Sequence, residues 1–384
     1  MGEISIEKIL IGILYDSLNE VENNPILAQQ ISSQNLPLVY RLAKKHHLSH
    51  IVSDFVYKNK IVAEPTLQEQ MQREQFTSVY KSERINYAIN QICELFEENK
   101  IIHILLKGAV IKKYYPYESM RLSGDIDILV QPSDIDNAVK VLQTAGYSFI
   151  KKEYHDVWMQ SPDKINLELH FNVLENNPKL DEVLKDVWQY IKQANGKQYE
   201  FTQEFFVFYM YAHIAYHFIR GGCGIRSLMD IWIMEHKMQL TPICAKELLN
   251  KGEIYTFASE MNKIANKCFT DKNQDDFSDL VLKYICRGGV YGSLNNNVSV
   301  AKSQETNTFV YALKRFFPPY NSMKTMYPIL KNLPFLLPFC WVIRLANVIR
   351  RGQYGRAKLE LLRANKVSDN KIDEIKKIRS RLKL

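Results

Sequence analysis

The chain has 384 residues and a formal net charge of +8, with 46% hydrophobic and 24% charged residues, which predicts two or three packed units with a sizeable core. Its six cysteines have no paired spacing, which excludes a disulfide scaffold or zinc ribbon and favours reduced thiols in a cytoplasmic protein. Residues 1–14 lack the basic start and cleavage site of a signal peptide, and no apolar run is long enough for a transmembrane segment.

Helical periodicity dominates before residue 100 and after residue 200, whereas convincing strand patterns cluster between residues 101 and 173. We therefore predict an α+β protein with a small mixed-sheet core. The predicted order is an N-terminal helical region (1–100), the α/β core (101–200), a large helical C-terminal region (201–343) and a basic helical tail (344–384).

The predicted core begins with the apolar run Ile101–Leu106, followed by Lys107 and Gly108. This pattern predicts a buried strand, a tight turn and a short helix over 109–115, ended by Pro116. A glycine at such a turn lets backbone N–H groups approach a phosphate, and Lys107 adds a positive charge beside it. An ordinary strand-to-helix turn is the alternative, and on the turn alone it is the more common one.

Two acids one residue apart, Asp125 and Asp127, stand in the next predicted strand. Strand side chains alternate with a period of two, so these carboxylates point one way while Ile126 and Ile128 point the other way, into the core. A carboxylate pair suits hard divalent cations, which often bind through carboxylates and substrate phosphates. Alone the pair is weak evidence, because strand ends and turns often carry two acids. The neighbouring segments strengthen it.

The segment after this strand supplies a third acid. Residues 133–145 predict an amphipathic helix with Asp134 near its start, ended by Gly146. A hairpin follows, with strands over 154–160 and 165–173. In its second strand Glu168 and His170 share one face, which makes Glu168 a candidate third carboxylate beside the first two.

This order of strand, glycine turn, helix, paired-acid strand, helix and hairpin resembles the catalytic core of the polymerase-beta-like nucleotidyltransferase superfamily. More narrowly, the chain looks like the bacterial uncharacterised nucleotidyltransferase family. The narrower resemblance rests on Leu106, Lys107, Gly108, Tyr115, Pro116, Arg121, Gly124, Asp125, Ile126, Asp127, Gly146, Tyr147, Glu168, Leu169 and His170. Looser matches follow at His213, His217, 224–230, 317–319, 327–328 and 337–341. We expect the resemblance to cover most of the chain.

The resemblance implies a nucleotidyltransferase that uses Mg²⁺ or Mn²⁺ and moves a nucleoside monophosphate from a nucleoside triphosphate to an acceptor. The acceptor class stays open between a small molecule, a protein and RNA. By this resemblance Asp125 and Asp127 are metal ligands, and Glu168 is a ligand or the general base for the acceptor hydroxyl. The implied nucleotide-binding residues are Lys107, Gly108, Arg121, Gly124 and His170.

The glycine turn departs from the superfamily pattern, in which glycine is followed by serine or a second glycine. Here Ala109 follows Gly108. The change removes a hydroxyl contact to the phosphates, so details of nucleotide binding are expected to differ from that pattern.

After residue 200, the strongly apolar and aromatic stretch Phe205–Ile219 predicts a helix with His213 and His217 on one face. Hydrogen-bonded histidines within a helical core are the more common outcome of this pattern. With Arg226 and Asp230, the two histidines can instead form a polar cluster that faces the active cleft. Two histidines without a third close ligand are weak evidence for zinc.

Positive charge is concentrated at the C-terminus, where residues 344–384 hold 13 Lys/Arg and 4 Asp/Glu for a net charge of +9. Such a tail can bind nucleic acid or an anionic membrane surface, although a solvated helix is the more common explanation. The preceding Leu333–Val348 is apolar but too short and too interrupted by proline to span a membrane. We expect it to pack in the core, with interfacial membrane docking as the minor alternative.

The leading hypothesis is therefore a metal-dependent nucleotidyltransferase. One alternative is a catalytically inactive relative that binds nucleotide or a partner, against which the intact Asp125, Asp127 and Glu168 argue. The other is a nucleic-acid-binding protein that uses the basic tail. It predicts salt-sensitive binding of RNA or DNA that is lost when residues 344–384 are deleted.

Overall fold

The computed structural model describes residues 5–271, 275–290, 296–297, 299–300, 313, 316–350 and 368–384. Seven strands in this part of the chain form one sheet: β1 His103–Leu105, β2 Asp125–Val130, β3 Ser148–Lys152, β4 Asp156–Gln160, β5 Asn166–His170, β6 Ile191–Asn195 and β7 Gln198–Phe201. The described α-helices are α1 Ile6–Leu18, α2 Pro25–Gln29, α3 Leu36–Lys45, α4 Ser49–Lys58, α5 Pro65–Glu98, α6 Gly108–Ile111, α7 Ile135–Thr144, α8 Pro178–Leu184, α9 Gln203–Ile219, α10 Ile225–His236, α11 Lys246–Lys251, α12 Tyr255–Phe269, α13 Asp276–Arg287, α14 Tyr320–Met326, α15 Leu337–Arg350 and α16 Asp369–Leu382.

The sheet is mixed and has the strand order β3-β4-β5-β2-β1-β7-β6. At its centre β2 pairs antiparallel with β1 and parallel with β5. In the parallel pair Asp127 lies opposite Glu168, and Asp125 lies opposite Asn166. The strands that carry the three predicted acids are therefore neighbours, and their register brings the third acid level with the pair.

The two faces of the sheet are covered differently. Ile126 and Ile128 of β2 are almost completely buried in an apolar cluster that includes Ile92 of α5 and Leu142 of α7. Burial of such side chains contributes roughly 1.5–3 kcal/mol each, so this packing fixes the orientation of β2. The alternation of the strand then turns Asp125 and the other acids toward the opposite face, where a cavity separates the sheet from α9 and α10.

The N-terminal helices share their core with helices that follow the sheet. Leu10 and Leu14 of α1 belong to the same apolar cluster as Phe208 of α9 and Phe257 of α12. Helix α9 is buried over most of its length, which confirms the helix predicted around residues 205–219. The boundaries at residues 100, 200 and 343 stay a prediction. The α+β class and the helical C-terminal region are confirmed.

The strand predictions are confirmed for β1, β2, β4 and β5, and the helix predicted over 133–145 is α7. The expectation that strands cluster before residue 173 was incomplete. Strands β6 and β7 form a hairpin that extends the sheet beyond β1, and Gly196 makes its turn with a φ of +53°. Strand β3 adds the opposite edge and is exposed at all five positions. The edge strands β3 and β6 lack the apolar alternation by which a strand is recognised in sequence, and β7 shows it over only four residues.

The prediction that Leu333–Val348 packs in the core was wrong. Phe335 is 70% exposed, and Phe339 and Val342 of α15 are each 66% exposed. Residues 333–348 contain no acidic side chain, and the buried side chains of the segment pack on the neighbouring α14 and its own turns. Among the described residues, none of the helices has the length and apolar character needed to cross a bilayer.

The basic tail is described only in part, since residues 351–367 lie outside the described ranges. Helix α16 buries Ile375, Ile378 and Leu382 in the main apolar cluster, beside α12 and α13. The end of the chain is therefore a packed helix with one solvated face, as the simpler explanation of its basic pattern predicts. Nucleic-acid binding by residues 344–384 stays a prediction.

Candidate active site

Three acidic side chains and one histidine meet above the centre of the sheet. His170 Nε2 lies 2.9 Å from Asp127 Oδ1 and 3.6 Å from Glu168 Oε2. Candidate ligand atoms of Asp127, Glu168 and His170 all lie within 4.8 Å of one another. Asp125 lines the same cavity. The alternation of β2 and β5 and their parallel register produce this cluster, because every second side chain of each strand faces the cavity.

Lys107 supplies a positive charge to this cluster. Its Nζ lies 3.2 Å from Asp127 Oδ1, and its ammonium also interacts with the Tyr209 hydroxyl on α9. Burial disfavours the charged ammonium, but Asp127, Tyr209 and Glu175 outweigh that effect and raise the pKa of Lys107. Its backbone φ of +43° and ψ of −112° lie in a region of backbone dihedral angles that residues other than glycine seldom adopt. Strain of this kind is characteristic of functional sites.

Gly108 follows directly and begins α6 at a close approach between two loops. A Cβ at this position would lie 2.4 Å from Ser123 Oγ and 3.1 Å from Arg121 Nη1. The absence of a side chain therefore allows the turn after β1 to pack against the loop that leads into β2. The predicted role of Gly108 in bringing backbone N–H groups to a phosphate stays a prediction. Gly124, at the end of that loop, borders the cavity with open space above it.

The electrostatics of the acids differ strongly although they are neighbours. Burial and the charge of Asp127 raise the pKa of Asp125. Burial and the same charge raise the pKa of Glu168 to about 7. Burial also opposes ionisation of Asp127, but Lys107 and the hydrogen bond from His170 outweigh it and lower the pKa of Asp127. The negative charge of Asp127 is thus balanced by neighbouring groups of the protein. The charges of Asp125 and Glu168 are not fully balanced, and both groups lie in a site of low dielectric constant.

This donor set fits a divalent cation. Asp125, Asp127 and Glu168 offer several carboxylate oxygens, which hard cations such as Mg²⁺ and Mn²⁺ prefer. The raised pKa values of Asp125 and Glu168 mark negative charge that a bound cation would compensate. A second group, formed by His155, Asp156 and His170, also has ligand atoms within 4.8 Å of one another and shares His170 with the first. Its imidazole content is closer to the preference of zinc, copper, iron or nickel.

Arg121, a predicted nucleotide-binding residue, forms an ion pair with Asp230 of α10 in the wall of the cavity. Its Nε and Nη2 each donate to Asp230 at 2.9 Å, and the Tyr115 hydroxyl donates to the same carboxylate at 2.6 Å. The side chains of Arg121 and Asp230 are only 8% and 7% exposed. This buried pair ties the loop before β2 to α10. Arg226 and Asp230, which the sequence offered as members of a polar cluster with His213 and His217, both line the cavity.

Arg226 lies close enough to the acids to act on Asp125 electrostatically. Its Nη1 donates to the carbonyl of Leu122 at 2.8 Å, and its charge lowers the pKa of Asp125, against the larger upward effect of burial. The side chain is partly exposed to the cavity. Arg226 is therefore a cationic group of α10 that lines the cavity beside the acid cluster.

His213 and His217 form a hydrogen-bonded chain with Glu175. His213 Nδ1 lies 2.9 Å from Glu175 Oε1, and His217 Nε2 lies 3.2 Å from His213 Nε2. Burial lowers the pKa of His213 and, together with His213, lowers that of His217 to about 3. Both imidazoles are therefore neutral, so His213 donates from Nδ1 to Glu175 and accepts at Nε2 from His217. The two outcomes left open for these histidines combine: they are hydrogen-bonded in the helix core and they line the cavity.

These groups surround a cavity of about 420 Å³. Sequence reasoning missed Glu175, His155, Trp158 and Tyr209 in its wall. Tyr209 could have been found, because Tyr209, His213 and His217 are spaced by four and share one helix face. Glu175 and His155 lie in segments without a periodic pattern, and their proximity to the acids follows from the folding of the loops around β4 and β5.

A comparison with protein families shows which family the chain belongs to. A family model described as "Uncharacterised nucleotidyltransferase" matches residues 32–269, well over half of the sequence. The chain belongs to the uncharacterised nucleotidyltransferase family. A comparison with curated proteins gave no match.

The family match runs from α3 through α12 and includes the whole acid cluster, the glycine turn and the two histidines. It confirms the resemblance inferred from Gly108 to Val130 and supports a general assignment to nucleotidyl transfer. The looser matches noted over residues 317–341 lie outside the matched range and stay a prediction.

Proposed function

We propose that this protein is a divalent-cation-dependent nucleotidyltransferase that moves a nucleoside monophosphate from a nucleoside triphosphate to an acceptor hydroxyl. The observation that carries the proposal is the register of β2 and β5, which brings Asp125, Asp127 and Glu168 to one cavity in a chain of this family. The cavity volume of about 420 Å³ falls within the range usual for small-molecule sites.

Asp125, Asp127 and Glu168 are the proposed cation-holding residues, with His170 hydrogen-bonded to Asp127. A divalent cation bound there would stabilise the negative charge that develops on the phosphates as the acceptor oxygen attacks the α-phosphorus and pyrophosphate leaves. His170 holds the Asp127 carboxylate in orientation, as partners behind metal ligands commonly do. Glu168 has two candidate roles, ligand and general base, since its pKa of about 7 allows it to accept a proton near neutral pH.

The triphosphate is proposed to lie along the turn after β1. Gly108 and Gly124 border the cavity without side chains that would hinder a phosphate. Lys107 and Arg226 line the cavity and supply positive charge that acts on Asp125. Arg121 contributes mainly by holding the loop, because two of its guanidinium donors already bond to Asp230.

The acceptor is proposed to enter from the side of α9, where the Glu175–His213–His217 chain and Tyr216 line the cavity. Neutral imidazoles in a hydrogen-bonded chain can pass or accept a proton without creating a buried unpaired charge. The wall also carries Tyr209, whose hydroxyl is tied to Lys107. The acceptor class stays open between a small molecule, a protein and RNA.

The test is transfer of label from each of the four α-labelled ribonucleoside triphosphates, with Mg²⁺ or Mn²⁺, to components of a bacterial lysate. The active protein is compared with an Asp125→Asn/Asp127→Asn variant, which keeps the side-chain shapes and removes the charges. Asp136→Asn is the matched control, because Asp136 is an exposed acid on α7, with a 94% exposed side chain.

Label on a lysate component with wild type and Asp136→Asn, but not with the double variant, supports the proposal and identifies the acceptor class. Equal labelling by the double variant overturns it. The absence of label, together with metal-dependent thermal stabilisation by one nucleotide, indicates a nucleotide-binding protein without transferase activity.

A further inference from the structure

Helix α15 presents an apolar face to solvent. Phe339 and Val342 are each 66% exposed, Ile343 is 50% exposed, and the exposed Ala346 continues the same helical row. Their spacing of three and four residues places them on one side of the helix. Cys340, on the other side, is buried. A surface helix of a globular protein normally has the reverse arrangement, with its apolar stripe toward the core.

The segment just before α15 carries further exposed apolar side chains. Phe335 is 70% exposed, Ile329 is 52% exposed and Met326 is 50% exposed. We call the exposed apolar side chains of this segment the C-terminal platform; they are Met326, Ile329, Leu333, Phe335, Phe339, Val342 and Ile343. Exposed apolar side chains concentrated in one segment, unlike those scattered singly over a surface, usually mark an interaction site.

The platform is built on an ordered scaffold. Met323, Leu330 and Cys340 form a small buried cluster beneath it. The Tyr320 hydroxyl donates to the carbonyl of Leu330 at 2.7 Å, and Trp341 Nε1 donates to the carbonyl of Pro318 at 2.9 Å. These contacts join α14, α15 and the turns between them, so the outward apolar side chains are held in place by their own segment.

The charges of the segment point to its partner. Residues 316–350 contain no Asp or Glu and four basic residues, Lys324, Lys331, Arg344 and Arg350. The next residues, 351–384, add 11 Lys/Arg and 4 Asp/Glu. Lys331 and Arg350 are exposed beside the platform. An apolar and aromatic face flanked by basic residues, without acids, is the pattern of a helix that lies in the interface of an anionic membrane.

We propose that the C-terminal platform docks this protein in the plane of a bilayer surface that contains anionic lipid. The platform side chains enter the boundary between headgroups and acyl chains, and Lys331 and Arg350 contact lipid phosphates. Helix α15 has 14 residues and is therefore about 21 Å long, shorter than the roughly 30 Å hydrocarbon core, so it lies on the bilayer instead of spanning it. The proposal does not depend on the proposed transferase activity.

The test is flotation of the full chain with vesicles of phosphatidylcholine alone and of phosphatidylcholine mixed with phosphatidylglycerol. We expect flotation with the mixed vesicles, weakened by salt, and much less with the neutral ones. Phe339→Glu/Ile343→Glu should lower partitioning by about tenfold or more, since two charges replace the inserted side chains. Lys331→Glu/Arg350→Glu should lower it by at least about fivefold for each basic residue lost.

Phe76→Glu/Ile243→Glu is the matched control, because Phe76 is 81% exposed and Ile243 is 73% exposed on other surfaces. Unchanged thermal unfolding of all variants shows that the fold is intact. The proposal is overturned if wild type does not float with anionic vesicles, or if platform and control variants float equally. It is also overturned if the wild type is a dimer in sedimentation that the platform variant dissociates, since the platform then joins two copies.

Discussion

The acid-bearing centre of the sheet and the C-terminal platform use the same device, an amphipathic element, in opposite ways. In β2 the apolar residues face α5 and α7, and the carboxylates face a cavity. In α15 the apolar residues face outward and a small cluster lies beneath. An apolar face next to another element builds core, whereas an apolar face without such a neighbour in the described structure becomes a surface for a partner. Periodicity shows that two faces exist, and only packing shows what each one covers.

The comparison first predicts that the two regions can be inactivated separately. Asp125→Asn/Asp127→Asn should lower nucleotidyl transfer by about 10²-fold or more, because the cation-holding charges are lost. It should leave vesicle flotation unchanged. Stability should fall, because the buried Lys107 ammonium loses the Asp127 carboxylate 3.2 Å away, and this loss outweighs relief of the repulsion that raises the pKa of Asp125. Transfer assays, flotation and urea unfolding measure the three effects. Loss of flotation in this variant would mean that the regions are coupled.

The buried pair between Arg121 and Asp230 should matter most for stability. Removing one partner, as in Asp230→Leu, leaves Arg121 buried without its carboxylate and should cost about 3–5 kcal/mol of unfolding free energy. Arg121→Met/Asp230→Leu should recover a large part of that loss, because no uncompensated charge remains. Denaturant unfolding of the two single variants and the double variant gives the coupling. Equal loss in all three would show that the pair itself contributes little.

Gly108 tests the close approach beside the acids. Gly108→Ala should destabilise the fold by about 1–3 kcal/mol and lower activity, because its Cβ would lie 2.4 Å from Ser123 Oγ. Adding Ser123→Ala removes that oxygen and should restore part of the stability. Gly124→Ala is the stability control, since no atom lies within 4 Å of a Cβ there. If Gly108→Ala and Gly124→Ala unfold alike, the contact with Ser123 is not limiting.

The last prediction concerns acid stability. His46 is fully buried, its Nδ1 accepts the Ile225 N–H, and burial lowers its pKa to about 4. The unfolded chain binds a proton on this histidine below about pH 6.5, whereas the folded chain does not until about pH 4. As the pH falls from about 6.5 to about 4, the free energy of unfolding should therefore decrease by roughly 1 kcal/mol per pH unit. His46→Asn should flatten this slope in urea unfolding. An unchanged slope would assign it to other buried histidines.

Much of the active-site strand could be predicted from the sequence because its signals are local. The alternation around Ile126 and Ile128 fixes which way Asp125 and Asp127 point, and the same alternation relates Glu168 to His170. The edge strands β3 and β6 could not be predicted, because exposed strands lack apolar alternation, and β7 was missed because its alternation covers only four residues. The outward face of Leu333–Val348 was missed for a similar reason, since apolar composition does not reveal whether a neighbour covers it.

The sequence by itself determined the paired carboxylates, the glycine turn, the third acid and, through them, the family. Only the tertiary structure decided the partners of these groups. It paired Arg121 with Asp230, 109 residues away in sequence, and brought Glu175 to His213 across the cavity. The physical reason is that side-chain alternation depends on a few adjacent residues. The charge environment of a buried group instead depends on every element that packs against it.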